Sequence, residues 1–508
     1  MYPGKWAQIH PDKAAAIHSG TGETLSFREL DERSNQLAHA LHARGFRRGD
    51  HIAIFSKNDL IFYEVAWAAL RSGLYITTIN RYLSAEEAAY IVNDSESQLL
   101  IANGEMIDTA RELPGLSETC QHWVAYGPEV PGYESYAALL DAESTEPLAE
   151  EPLGSFMLYS SGTTGRPKGI KHELSDASVA DHNPHHAYHQ DIWEFDENAV
   201  FLSPAPIYHA APAVLSTSAQ ALGGTAVIMP GFEPKAALEA IDRYRVTHSQ
   251  WVPTHFTRFL KMPAEDREGH DLSSHRFAIH AAAPCPMEVK QQMFDWWGPI
   301  IYEYYSGTES VGATHVTPDE WLKYPGTVGK SLGGDIHICD EEGNELATGD
   351  VGLVYFEMAK EFEYHGDSEK TKTTRHPTHA NWAGLGDIGH VNEEGFLFLT
   401  DRANFMIISG GVNIYPQEIE NALILHPKVA DVAVIGIPNA DMGEEVKAIV
   451  QVEAGVQEGP ELVDELIAYA REKIAHYKCP RSIDFKESLP RLPTGKLYKQ
   501  VLKDEYWK

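Results

Sequence analysis

The chain has 508 residues, more than one comfortable hydrophobic core holds, so two or more domains are expected, and its 43% apolar residues can build them. Asp and Glu outnumber Lys and Arg by 74 to 41, a formal charge of -33 that argues against nucleic acid or an anionic membrane as a general partner. Cys120, Cys285, Cys339 and Cys479 form no C-x-x-C pair, and Met1-Tyr2-Pro3-Gly4-Lys5-Trp6 lacks the apolar core of a signal peptide, so a cytoplasmic protein with no integral membrane segment is expected.

From the N-terminus, Ser26-Phe27-Arg28-Glu29 has capping-box spacing, and Leu30, Leu37 and Leu41 recur on one helical face until Gly45 and Gly49. His51-Ile52-Ala53-Ile54-Phe55 is an apolar run suited to a buried strand. A helix from about Asp59 to Arg71 ends at Gly73, and Ser84 with Glu87 starts another before Leu99-Leu100-Ile101. This alternation predicts an α/β fold, with a mostly parallel sheet covered by helices.

Phe156-Met157-Leu158-Tyr159 then leads into Ser160-Ser161-Gly162-Thr163-Thr164-Gly165-Arg166-Pro167-Lys168-Gly169. Hydroxyls, glycines and two cations are what a backbone needs to wrap a polyphosphate, so this reads as a phosphate-binding loop. No Ser or Thr follows Lys168, which disfavours a P-loop NTPase. In the histidine-rich segment that follows, His182 and His186 are four apart, but Pro184 between them opposes a shared helix, and a solvated surface segment is expected there.

Further on, Tyr208-His209 sits among small apolar residues in Ala205–Pro212, and no acid occurs from Pro204 to Gln220. Tyr304-Tyr305-Ser306-Gly307-Thr308-Glu309 combines an aromatic ring, a hydroxyl and a carboxylate, the chemistries that stack on adenine, bond an α-phosphate and hold magnesium. Asp387, at the end of Trp382-Ala383-Gly384-Leu385-Gly386-Asp387, can accept two ribose hydroxyls. After Asp401, about 105 residues make a small α/β domain. It holds the apolar strand Val432–Pro438, a further element opening at Gly443, and Leu492-Pro493-Thr494-Gly495-Lys496, where Pro and Gly stiffen the loop that carries the lysine.

The string SSGTTGRPKG resembles the signature of the adenylate-forming superfamily, which holds acyl-CoA synthetases, luciferases and the adenylation domains of peptide synthetases. Together with YYSGTE, WAGLGD, DRANFMIISGGVNIYPQEIE and PTGK, the resemblance covers nearly the whole chain. It implies a large N-terminal adenylation domain of helix-covered β-sheets, 1–401, and a small mobile C-terminal α/β domain, 402–508, that carries the catalytic lysine. It puts Ser160, Ser161, Gly162, Thr163, Thr164, Gly165 and Lys168 at nucleotide phosphates, and Ala282, Ala283 and Pro284 of His280–Cys285 at adenine. Tyr305, Ser306, Gly307 and Thr308 join the nucleotide site, Glu309 and Thr164 hold the metal, and Asp387 and Arg402 take the ribose. Ser409, Gly410 and Gly411 are implied at the channel for the CoA thiol, with Asn404 at the hinge. Lys496, Glu309, Thr164 and His209 are the implied catalytic residues, His209 on the acyl side.

The sequence departs from the family pattern at Ala281, where a glycine is usual, and at Leu385, where a threonine is. The implied activity is ATP- and magnesium-dependent ligation of a carboxylic acid to coenzyme A through an acyl-AMP. The apolar pocket motifs, with no partner for a substrate ammonium, point to a hydrophobic acid, either fatty or a bulky aryl or steroid type. Transfer of the acyl group to a carrier protein, an inactive nucleotide sensor and a homodimer all stay open.

Overall fold

A computed structural model of the protein describes residues 1–160, 167–357, 362–402, 405–410, 412–491 and 497–507, apart from the side chains of Ser160 and Arg402. The N-terminal caps form as their spacing predicts. Ser26 N donates to Glu29 Oε2 (2.8 Å) and Glu29 N to Ser26 Oγ (3.2 Å), opening helix Phe27–Ala43, whose Leu30, Leu37 and Leu41 are buried. Ser84 and Glu87 repeat the box at Ala85–Asp94. The helix between them runs Ile61–Arg71 rather than from Asp59, whose Oδ1 accepts from Ile61 N (3.4 Å).

His51–Phe55 lies inside a six-stranded, wholly parallel sheet in the order Glu134–Ser135, His122–Tyr126, Leu99–Asn103, His51–Phe55, Tyr75–Ile79, Ser155–Phe156. Every residue of its three central strands is buried, as parallel strands covered on both faces require. A nine-stranded sheet follows the order Lys330–Ser331, Ala313–Val316, Ile301–Ser306, Phe277–His280, His248–Trp251, Val200–Ser203, Thr225–Ile228, Ala14–His18, Thr24–Ser26. It is parallel from Ile301–Ser306 to Ala14–His18 and antiparallel at its edges. One core containing Phe27, Leu30, Ile52, Ala226 and Ile228 joins the two sheets, and inside it Trp67 Nε1 donates to Gln220 Oε1 (2.7 Å).

Two smaller sheets complete the large N-terminal part. Glu363–Tyr364, Lys168–Lys171 and Leu158–Ser160 form one, and an antiparallel sheet built on Gly352–Glu357, Asp387–Val391 and Leu397–Arg402 forms the other. The C-terminal part has its own sheet. Val412–Ile414, Ile407–Ser409, Gly443–Val452 and Val429–Asn439 lie in that order, with Ser482–Phe485 on Gly443–Val452, over a core that includes Ile407, Ile419, Val432 and Leu466. Among the described residues no helix is long and apolar enough to cross a membrane.

The histidine-rich segment differs from the expectation of a solvated surface. Pro184 is the first residue of helix Pro184–Trp193, where its missing N–H costs nothing, and Asn183 caps it by accepting from His185 N (3.0 Å). His182 stays outside the helix. His186 and His189 are buried against helix Ala210–Ala221, each with Nδ1 2.9 Å from Ser218 Oγ. Among the described residues no group of three His, Cys, Asp or Glu could hold a metal ion.

Candidate functional site

A cleft of about 3540 Å³ runs between the sheets and against the C-terminal part, and most of the expected site residues that are described line it. Leu158–Ser160 and Lys168–Lys171 pair antiparallel, Ser160 opposite Lys168, so the two flanks of the phosphate loop form a hairpin. Ser161, Gly162, Thr163, Thr164 and Gly165 lie outside the described residues. Lys168 is ion-paired to Asp367.

Tyr305 is the penultimate residue of strand Ile301–Ser306, and Asp387 opens strand Asp387–Val391. Tyr305 Oη donates to Asp387 Oδ2 (2.5 Å), so the aromatic expected at adenine and the carboxylate expected at ribose are in direct contact. Glu309 is buried at the turn after that strand, and Tyr364 Oη donates to its Oε1 (2.7 Å). A Cβ at Gly307 would stand 2.4 Å from Leu385 Cδ1 and 2.7 Å from Glu309 Oε2, so the ends of both side chains would have to shift. Leu385, which replaces the usual threonine, therefore packs over Gly307 instead of offering a hydroxyl. Thr308 lines the same cleft, as does Ser306, whose Oγ donates to Gly312 O (2.9 Å).

Ala282, Ala283 and Pro284 also line the cleft. Ala282 has φ +76°, a left-handed conformation that costs a residue with a Cβ roughly 1–3 kcal/mol and that clusters at ligand sites. Cys285 beside them is partly buried, and burial pushes its thiol well above the ordinary range, so it is no nucleophile. His209 is the residue before helix Ala210–Ala221, its ring 4.4 Å from that of Tyr208. Burial lowers its imidazole to about 3, so it is neutral, and its Nε2 has no partner among the described residues.

The remaining expectations fall around the C-terminal part. Arg402 pairs in register with Asp387, and its side chain lies outside the described residues. Ser409 and Gly410 sit on the hairpin Ile407–Ser409 to Val412–Ile414 and are not part of the cleft wall, while Gly411, Asn404 and Lys496 lie outside the described residues. The C-terminal face of the cleft carries two ion pairs instead, Lys499 Nζ on Glu420 Oε1 (2.9 Å) and Arg491 on Asp431. Lys261 bridges the two parts, donating to Glu453 Oε1 (2.9 Å) and to Val429 O.

Sequence reasoning missed Tyr364 and Asp367. Ile170 is the register partner of Tyr364, and this strand pairing carries the segment 364–367 to the phosphate loop. The only local signal was Asp367 before Ser368-Glu369-Lys370, an N-cap spacing; its Oδ1 accepts from Lys370 N (2.9 Å) at helix Ser368–Lys372.

Residues 4–360 match the model of the AMP-binding enzyme family, and residues 418–496 match that of the AMP-binding enzyme C-terminal domain. Long-chain-fatty-acid--CoA ligase FadD13 of Mycobacterium tuberculosis (strain ATCC 25618 / H37Rv) is 30% identical over 510 residues, 98% of this chain and 97% of that protein. Fatty acid--[acyl-carrier-protein] ligase ScoC of Streptomyces coeruleorubidus is 29% identical over 99% of this chain and 95% of its own length. Among solved structures, ATP-bound MatB from Rhodopseudomonas palustris superimposes with a TM-score of 0.81 at 28% identity, covering 100% of this chain and 99% of that one.

Proposed function

The chain belongs to the AMP-binding enzyme family of adenylate-forming ligases, and from that premise we propose that it is an acid:CoA ligase that joins a hydrophobic carboxylic acid to coenzyme A through an acyl-AMP. The observation that supports this reading is the meeting of Tyr305 and Glu309 of one motif with Asp387 of another, 82 residues beyond Tyr305, in one cleft, with Tyr364 orienting the Glu309 carboxylate. The two working units are 1–401 and 402–508. Leu397–Arg402 still pairs with Asp387–Val391, whereas Ile407–Ser409 belongs to the C-terminal sheet.

In the first step the acid's carboxylate attacks the α-phosphorus of ATP and pyrophosphate leaves. Negative charge grows on phosphate oxygens, and the loop amides, Lys168 and Lys496 are the groups we assign to it. Asp387 and Arg402 take the ribose, and Ala282 to Pro284 with Tyr305 frame the adenine. Glu309 would hold magnesium together with Thr164. Magnesium keeps waters and phosphate oxygens in its shell and needs only one or two protein oxygens, so a lone buried carboxylate fits where no three-residue cluster exists among the described residues. When bound, it neutralises phosphate charge. His209, neutral and at the acyl side, can orient the substrate carboxylate by a hydrogen bond without adding charge. In the second step the CoA thiol attacks the acyl carbonyl and AMP leaves, with Ser409, Gly410 and Gly411 offered after rotation of the C-terminal unit near Asn404.

The test is pyrophosphate release with ATP and magnesium over acetate, short to long fatty acids, benzoates, cinnamates and bile acids, each with and without CoA. CoA-stimulated release with one group is expected. Release without stimulation would favour transfer to a carrier protein, the reaction named for ScoC, and silence across the panel from a protein that binds ATP would overturn the reading. In the same assay Asp387→Asn is expected to raise KM for ATP by about 10- to 100-fold with kcat changed less, because a charge-assisted bond to the ribose contributes equally before and during the reaction. An unchanged KM would remove Asp387 from the nucleotide site.

A further inference from the structure

Helix Pro184–Trp193 forms one wall of the cleft and carries a polar cluster that the adenylation chemistry does not use. His186 Nδ1 and His189 Nδ1 both lie 2.9 Å from the single hydroxyl of Ser218. Burial lowers both imidazoles to about 3, so both are neutral. One hydroxyl has one proton, so it can donate to only one of the two Nδ1 atoms, and the other must itself be an N–H donor. The Ser218 hydroxyl has no other acceptor among the described residues, so its proton goes to one Nδ1 and the pair takes opposite tautomers; the two Nε2 atoms, neither bonded to a described residue, then offer one donor and one acceptor.

Around them, two buried polar atoms lack partners among the described residues, Trp193 Nε1 and Gln250 Oε1, and both side chains line the cleft. The setting is otherwise flat and aromatic. The Trp193 ring lies 5.4 Å from that of His189, in parallel stacking, and 5.6 Å from that of Tyr304, which also lines the cleft. Ser218 lies on the helix that starts after His209, and nine residues of helical rise put it about 14 Å along the axis from that end.

We propose that this wall is a specificity subsite for a ring-borne hydroxyl group, so that the acid activated is a hydroxylated ring acid rather than a plain fatty acid. The proposal rests on the ligase reading above and narrows its substrate. A hydroxyl both donates and accepts, which matches a histidine pair in opposite tautomers, and the ring that bears it can pack against Tyr304 on the cleft wall. An analogue without the hydroxyl leaves those buried groups unpaired, and sites built to bond a substrate hydroxyl reject such analogues far more strongly than apolar pockets reject a missing methylene.

The test is ATP-dependent pyrophosphate release for matched pairs: 4-hydroxycinnamate and cinnamate, 4-hydroxybenzoate and benzoate, and 3-hydroxycholanate and cholanate. In at least one pair the hydroxylated acid is expected to exceed its partner by about 10- to 100-fold or more in kcat/KM. His189→Phe and Ser218→Ala are each expected to pull that ratio toward one, and thermal melting checks that they fold. Should His189→Phe fail to fold, Ser218→Ala, which removes a single oxygen, carries the comparison. Efficient release with the deoxy acids at ratios near one would overturn the subsite while leaving the ligase reading intact, and so would a ratio that neither variant moves. Silence with all six acids while fatty acids are activated would overturn the subsite alone, and silence with the fatty acids as well would overturn the ligase reading and the subsite together.

Discussion

Replacing Glu309 by glutamine is expected to lower pyrophosphate release by about 10²–10³-fold at saturating acid and ATP, with little change in thermal stability. The carboxylate is buried, and Tyr364 Oη donates to Oε1 at 2.7 Å, which leaves Oε2 on the Gly307 side. Glutamine keeps the shape and an acceptor for the Tyr364 hydroxyl, so the packing survives. What disappears is a full negative charge at the point where a hard cation must be gripped, and no second cluster among the described residues can replace it. The loss should fall on kcat and be eased in part by raising magnesium, since a weakened site is filled by mass action. A rate within threefold of the wild type would mean that Glu309 only shapes the turn.

Lys496→Ala is expected to be at least as damaging to acyl-AMP formation, about 10²–10³-fold, yet to spare the second step when acyl-AMP is supplied ready-made. Lys496 itself lies outside the described residues, but the chain on either side of its segment is placed. Arg491 and Leu497 form an antiparallel bridge, Tyr498 N donates to Pro490 O (2.7 Å), and Arg491 and Leu497 both line the cleft. The ion pair of Arg491 with Asp431 anchors that loop to the C-terminal sheet. A cation carried on such a loop stabilises the charge that grows on phosphate during adenylation, whereas attack of a thiol on an acyl carbonyl makes no such demand. Single-turnover measurement of each half-reaction separates the two. Equal losses in both halves would show that the substitution disturbs the C-terminal unit as a whole rather than one transition state.

Much of the site was legible because each piece sits in a short stretch with its own chemistry. Ser26 with Glu29 and Ser84 with Glu87 declared two helix starts through bonds that span three residues. Tyr305 and Glu309 stood in one compact motif with a glycine and hydroxyls, Asp387 closed another of glycines and an acid, and all three line the cleft. Pro184 does keep His182 and His186 off a shared helix, as expected; what failed, for a local reason, was the expectation of a solvated segment after it. Proline breaks a helix from within but opens one at its first position, and Asn183 ahead of it was the cap.

The sequence by itself determined the α/β class, the order of motifs and the family, because these depend on hydrophobic periodicity and on backbone needs confined to a few neighbouring residues. Only the tertiary structure decided what surrounds each side chain. Lys168 meets Asp367 across 199 residues, Tyr364 reaches Glu309 across 55, and His186 and His189 meet Ser218 across 32 and 29. Such partners are chosen by strand register and helix packing, which no local window contains. They set whether a histidine is a solvated cation or a neutral, tautomer-locked reader of a ligand, because protonation follows the local dielectric and the nearest hydrogen bond rather than residue type.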